Sequence, residues 1–200
     1  MRASISRLWR WLRRPSAGVA AGTLLGAGFI AAIVFAAGFT GFVEYTNTMP
    51  FCTSCHEMRE FVYAEYRESP HYRNNSGVSA TCADCHVPRA FVPKLARKIK
   101  ATFVEVPSHL LGRIDTPEKF EAHRGRLAES VWAAMKANDS RECRACHDPM
   151  QMTLETQKPR ARARHLDAQV SGETCIDCHQ GIAHKLPARP EAAEEEDFTL

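Results

Sequence analysis

The sequence predicts a mainly α chain with little regular structure: a single N-terminal transmembrane helix and a small domain that cannot build its core from side chains alone. Three observations carry this. An uncharged run of 27 residues, Ala17 to Val43, lies near the N-terminus. All eight cysteines of the 200-residue chain fall into one motif, C-x-x-C-H, used four times. Only about 140 residues remain to surround whatever those four motifs hold.

As a helix, the run from 17 to 43 reaches about 40 Å at 1.5 Å per residue, more than a hydrocarbon core of about 30 Å. It is rich in glycine and alanine, which suits close helix packing in lipid. A cleaved signal peptide is the rival reading. Its apolar stretch would be about 7–15 residues and would end in a small-residue cleavage site. This run is longer and lacks a clean A-x-A site, so a retained anchor is expected. Arg2, Arg7, Arg10, Arg13 and Arg14 precede it, and no acidic residue occurs before Glu44. The positive-inside rule then keeps residues 1–16 in the cytoplasm and sends residues 44–200 to the periplasm of a bacterium, with the chain in the inner membrane. Five acids crowd the end, Glu191, Glu194, Glu195, Glu196 and Asp197, so residues 187–200 read as a solvated acidic tail. A formal net charge of +3 gives no reason to expect a nucleic-acid partner.

The four motifs are CTSCH (Cys52, Cys55, His56), CADCH (Cys82, Cys85, His86), CRACH (Cys143, Cys146, His147) and CIDCH (Cys175, Cys178, His179). Their spacing is that of c-type haem attachment. Two thiols add to the two vinyl groups of one porphyrin, and the next residue supplies an imidazole to the iron. Zinc sites also use paired C-x-x-C, and exported domains use disulfides, but neither requires histidine after every second cysteine. Four covalently bound haems follow. The expected domain, residues 44–186, is a haem-packed periplasmic multihaem cytochrome c domain whose apoprotein does not fold.

The motif cysteines begin at 52, 82, 143 and 175, with gaps of 30, 61 and 32 residues, so they form two pairs. In each pair a histidine precedes the second motif at similar distance, as HYRNNSGVSATCADCH and HLDAQVSGETCIDCH. Two dihaem modules, about 44–90 and 140–186, are expected to flank a connector from Val87 to Glu142.

Six-coordinate electron-transfer haems need two axial ligands each. Beyond the motif histidines, His71 and His165 hold the repeated position and His184 follows His179 by five residues; these three are expected as distal ligands. His109 and His123, in the connector, are expected to do something else. One haem is then short of a ligand. The first motif continues CTSCHEM, which brings the Met58 thioether behind His56.

Arg89 to Val106 places Phe91, Leu95, Ile99, Phe103 and Val106 at near-helical spacing, with Lys94, Arg97, Lys98 and Lys100 on other faces. Pro93 fits its first turn and Pro107 is expected to end it. A basic amphipathic helix beside an anchor suits a membrane surface. Lys98 and Glu105, seven apart, are expected to share a face. There they could bind quinol hydroxyls and accept their protons.

CTSCHEM, SPHYRNNSGVSATCADCHVP, IDTPEKFEAHR, MKANDSRECRACHDPM and TCIDCHQGIAHKLP together resemble the NapC/NirT family of membrane-anchored multihaem quinol dehydrogenases, over nearly the whole chain. The resemblance implies electron transfer from menaquinol or ubiquinol to a periplasmic reductase or its cytochrome subunit, with nitrate reductase favoured by length and connector. It implies Met58 at the first iron, with His56 as a possible ligand only. Lys98 falls on the family's quinol-site lysine. Glu105 falls where a carboxylate, commonly aspartate, is expected. A plain tethered electron carrier, without its own quinol site, is the alternative.

Overall fold

The computed structural model describes residues 18–188, which form two compact units divided between Tyr45 and Thr46. The basic N-terminus and most of the acidic tail lie outside the described residues. The first unit is α1, Ala21–Tyr45, a 25-residue helix with no acidic residue in its first turn and no basic residue in its last. Its segment Gly22–Tyr45 has a mean hydropathy of 2.0 and is long and apolar enough to cross a membrane. It extends two residues past Val43, because nothing at Glu44 or Tyr45 breaks a helix.

The second unit is helical throughout its described regular structure. In chain order it contains α2 (Met49–Cys52), a π-helical turn (Met58–Val62), α3 (Tyr63–Tyr66) and α4 (Cys82–His86). A continuous helical run follows: α5 (Phe91–Lys100), a second π turn (Ala101–Glu105) and α6 (Val106–Leu110). The connector then forms α7 (Pro117–Ala137), 21 residues long, and leads through α8 (Arg141–Arg144) to α9 (Pro159–Ser171) and α10 (Cys175–Cys178).

Pro107 does not end the helical run. It has no N–H, and its ring would strike the carbonyl of Phe103 in a regular α-helix. The π turn just before it, with i→i+5 bonding, widens the backbone where that clash would fall. The chain passes through and continues to Leu110.

The sequence repeat has a local cause. Thr81 caps α4 and Thr174 caps α10, each in a reciprocal box with the aspartate three residues on, Asp84 or Asp177. T-C-x-D-C-H therefore encodes a one-turn helix that presents both cysteines of a motif, with histidine at its end.

Side-chain burial is sparse. In the second unit the buried apolar residues among those described are Tyr66, Phe120 and Ile176. Three apolar side chains do not make a core for a domain of this length, in line with the expectation that the prosthetic groups supply it.

Candidate functional site

The four motifs succeed one another in space as in sequence. α2 packs on α4, and the Cys82 backbone N–H meets the Met49 Sδ at 3.3 Å. As free thiols, Cys52 and Cys82 are hydrogen-bonded. That bond draws Cys52 down to about 7 against the desolvation that raises it, with the charge of Lys98 adding to the fall, and it pushes Cys82 up. α4 packs on α8. The third motif is held to the fourth by Ser140, fully buried in a left-handed turn (φ 48°), whose Oγ accepts from the Ile176 N–H at 3.2 Å. Lys136 adds an ion pair to Asp177 at 2.6 Å.

Around this chain of cysteines the histidines come in pairs. His71 faces His147 with ring centroids 6.2 Å apart, His86 faces His184 at 6.2 Å, and His165 faces His179 at 5.9 Å. Each pair joins one motif histidine to one of the three histidines expected as distal ligands. A metal–nitrogen bond of about 2 Å on each side, with an imidazole radius of roughly 1.1 Å, puts two coaxial ligand rings about 6 Å apart. The spacing therefore fits an iron between the rings. His86 is pulled down to about 4, first by burial and then by His184 and Arg97; burial also lowers His184. Both rings are thus held neutral, the state that offers a lone pair. His184 Nδ1 is buried without a hydrogen-bond partner.

The pairing crosses the modules. His71, ahead of the second motif, faces the third motif's histidine, and His184, from the end of the domain, faces the second motif's. Only His165 stays within its own module. A backbone clamp sets His184: the buried Arg124 reaches the Lys185 carbonyl at 3.2 Å, and the Lys185 N–H reaches Glu65 at 3.0 Å.

At the first motif, His56 lies 6.1 Å from the ring of His109. Glu57, 1 % exposed, sits against both, with Oε1 2.7 Å from His109 Nδ1 and 3.4 Å from His56 Nε2. Burial raises the Glu57 carboxyl, but the hydrogen bond from His109, its own backbone and the nearby imidazoles outweigh this and hold it below the usual carboxylate range. Met58 is half-buried at the start of the first π turn. His123 turns its Nδ1 back to the Lys119 carbonyl of its own helix at 2.9 Å.

Lys98 and Glu105 are not brought together. The π turn shifts the register by about one residue, so Glu105 lines up with Arg97, at 2.8 Å, instead of with the residue seven before it. Lys98 donates to Thr46 Oγ1 at 2.6 Å, which sets it against the segment that carries the first motif.

Paired cysteines, paired histidines and a hydrophobic helix define a membrane-anchored multihaem c-type cytochrome, an electron-transfer protein. A family model, the NapC/NirT cytochrome c family, N-terminal region, matches residues 14–189. The chain belongs to that family. It is 55% identical to the Cytochrome c-type protein NapC of Escherichia coli K12 over 92% of this chain and 90% of that one. It is 52% identical to the denitrification system component NirT of Stutzerimonas stutzeri, over 93% and 90%. A protein of Allochromatium vinosum described as a putative tetraheme cytochrome-c type is 52% identical over 84% and 91%. No solved structure matches the chain.

Proposed function

We propose that this chain is a quinol dehydrogenase of the bacterial inner membrane, passing electrons from menaquinol or ubiquinol through four haems to a periplasmic reductase. The favoured acceptor is periplasmic nitrate reductase or its cytochrome subunit. Membership of the family that contains NapC and NirT supports this.

In this reading Cys52, Cys55, Cys82, Cys85, Cys143, Cys146, Cys175 and Cys178 hold the haems. His86 with His184, His147 with His71 and His179 with His165 would hold the iron at the second, third and fourth sites. Met58 and His56 are the first site's candidates. When bound, haem supplies one-electron redox chemistry at iron. The chain's own residues fix the order of the sites and hold the His86 and His184 rings neutral.

The observation that carries the quinol assignment is the position of Lys98. It is tied to Thr46, close enough for its charge to act on Cys52, on a helix whose Phe91, Ile99, Phe103 and Leu110 are exposed. An ammonium beside the first attachment site can hydrogen-bond a quinol oxygen, and the apolar face suits a lipid-soluble donor. The Arg97–Glu105 ion pair favours the alternative of a tethered carrier, because it takes the carboxylate away from Lys98. Reduction of the holoprotein by menaquinol and ubiquinol analogues, followed at the haem bands, decides between them. Reduction by a quinol supports the dehydrogenase. No reduction by either, with haems that still accept electrons from dithionite, leaves the tethered carrier.

A further inference from the structure

We propose that Tyr66 is the positioning residue for His71: its hydroxyl pins the neck of the loop that carries this histidine, and so sets the His71 ring across, not along, the ring of His147. The inference rests on the histidine pairs of the reading above. Those pairs are not alike. The rings of His86 and His184 are tilted by 35° and those of His165 and His179 by 31°, closer to parallel than to crossed. The rings of His71 and His147 stand at 84°, close to perpendicular.

The ring of His71 has little of its own to hold that angle. A histidine at a metal is commonly oriented by a hydrogen bond at its second nitrogen. His165 has one, with Nδ1 2.6 Å from Gln157 Oε1. His71 Nδ1 meets the Ile182 carbonyl at 3.4 Å, longer than the roughly 2.7–3.2 Å of a good bond. The backbone of His71 is held more firmly. The Tyr66 hydroxyl donates to the His71 carbonyl at 3.1 Å and lies against the Ala80 carbonyl, and the Ala80 N–H donates to the same His71 carbonyl at 2.9 Å.

Tyr66 is suited to be a fixed point. It ends α3, is 7% exposed, and packs edge-on against Tyr72 with ring centroids 5.3 Å apart. Beyond the neck, residues 73–79 are exposed, and Asn74 ties their turn through Nδ2 to the carbonyls of Pro70 at 2.9 Å and Val78 at 2.7 Å. The neighbouring residue acts on a second histidine: Glu65 accepts from the Lys185 N–H, next to His184, at 3.0 Å. Two adjacent side chains of α3 therefore hold the backbones of His71 and His184.

The angle has a spectroscopic signature. In a ferric haem with two imidazoles, parallel ligand planes split the two iron orbitals that interact with the ligand rings, and EPR shows three resolved lines. Perpendicular planes leave those orbitals nearly equal in energy, and a single line appears at unusually large g. The test uses the full-length four-haem protein in detergent, with haem count checked by mass. The ferric parent should show a large-g line, and His71→Leu should remove that line and convert one haem in four to high spin. Tyr66→Phe should keep all four haems low-spin but replace that line by a three-line spectrum. A merely structural role for Tyr66 would lower stability and leave the g values alone. Asn74→Ala, which loosens the loop outside the neck, should keep the large-g line.

A Tyr66→Phe spectrum with the parent's large-g line overturns the proposal. Should Tyr66→Phe fail to mature, Asn74→Ala decides: an unchanged line supports control at the neck, and a lost one moves control to the loop and overturns it. If His71→Leu leaves every haem low-spin, the third pair fails and the proposal with it. Quinol reduction is measured separately on the parent, so failure there sinks the dehydrogenase reading and leaves the Tyr66 result standing.

Discussion

Arg124 and Glu65 form a two-pronged ion pair, 2.5 Å and 3.0 Å, with side chains only 8% and 10% exposed. They lie 59 positions apart in sequence, on α7 and α3. Removing one partner from a buried pair strands the other charge, so Arg124→Gln should lower holoprotein stability by about 3–5 kcal/mol in denaturant titrations. Glu121 also touches Arg124 but is 60% exposed, and Glu121→Gln should cost less than about 1 kcal/mol. Because Arg124 and Glu65 also hold the backbone of Lys185, Arg124→Gln should loosen His184. The expected mark is partial loss of low-spin signal from one haem, an effect absent from Glu121→Gln. Equal behaviour of the two variants would remove the clamp from the account.

Lys98 and Glu105 should behave differently from each other. Lys98→Gln removes a charged donor beside the first attachment site, and a charge-assisted hydrogen bond is worth roughly 1.5–3 kcal/mol. Quinol-driven reduction should therefore slow at least about tenfold, with dithionite reduction unchanged. Glu105 is engaged by Arg97, so Glu105→Gln should stay within about twofold of the parent. The reverse ranking would assign the quinol to the carboxylate.

Haem loss should be loss of fold. With Tyr66, Phe120 and Ile176 as the buried apolar residues described in the haem domain, the chain cannot offset the entropy of ordering itself. Expressed without haem attachment, it should show little helical circular dichroism beyond its anchor and should be cut rapidly by protease between residues 46 and 188. A protease-resistant apoprotein would mean that the side chains form a core of their own.

Much of this site was legible because its chemistry is local. C-x-x-C-H names the attachment residues, the T-C-x-D-C-H box explains the helical turn that presents two of the motifs, and the repeated His71 and His165 stood out by position. Three features were not legible, each for a tertiary reason. Histidine pairing crosses the modules, so no spacing rule gives His71 to His147 or His184 to His86. The seven-residue interval from Lys98 to Glu105 implies a shared face only in a uniform α-helix, and the π turn breaks that assumption. His109 has no signal in the sequence, because Glu57, which it meets at 2.7 Å, lies 52 positions away and reaches it only after that turn. Pro107, read as a terminator, was the one available hint that the helix changes its winding there.

The exposed face of the α5–α6 run provides the last prediction. Phe103 and Leu110 are each 75% exposed and Leu111 67%, with Lys94, Arg97, Lys98 and Lys100 along the same run. Leaving such side chains in water forgoes about 1.5–3 kcal/mol each, so a lipid surface is a favourable place for them. In lipid nanodiscs containing a photoreactive phospholipid, crosslinks mapped by mass spectrometry should fall at Phe103, Leu110 and Leu111. Phe103→Glu should reduce that labelling and raise the quinol concentration needed for half-maximal haem reduction, leaving the dithionite-reduced spectrum intact. If lipid labels only α1, this face does not meet the bilayer, and the quinol must reach Lys98 by another route.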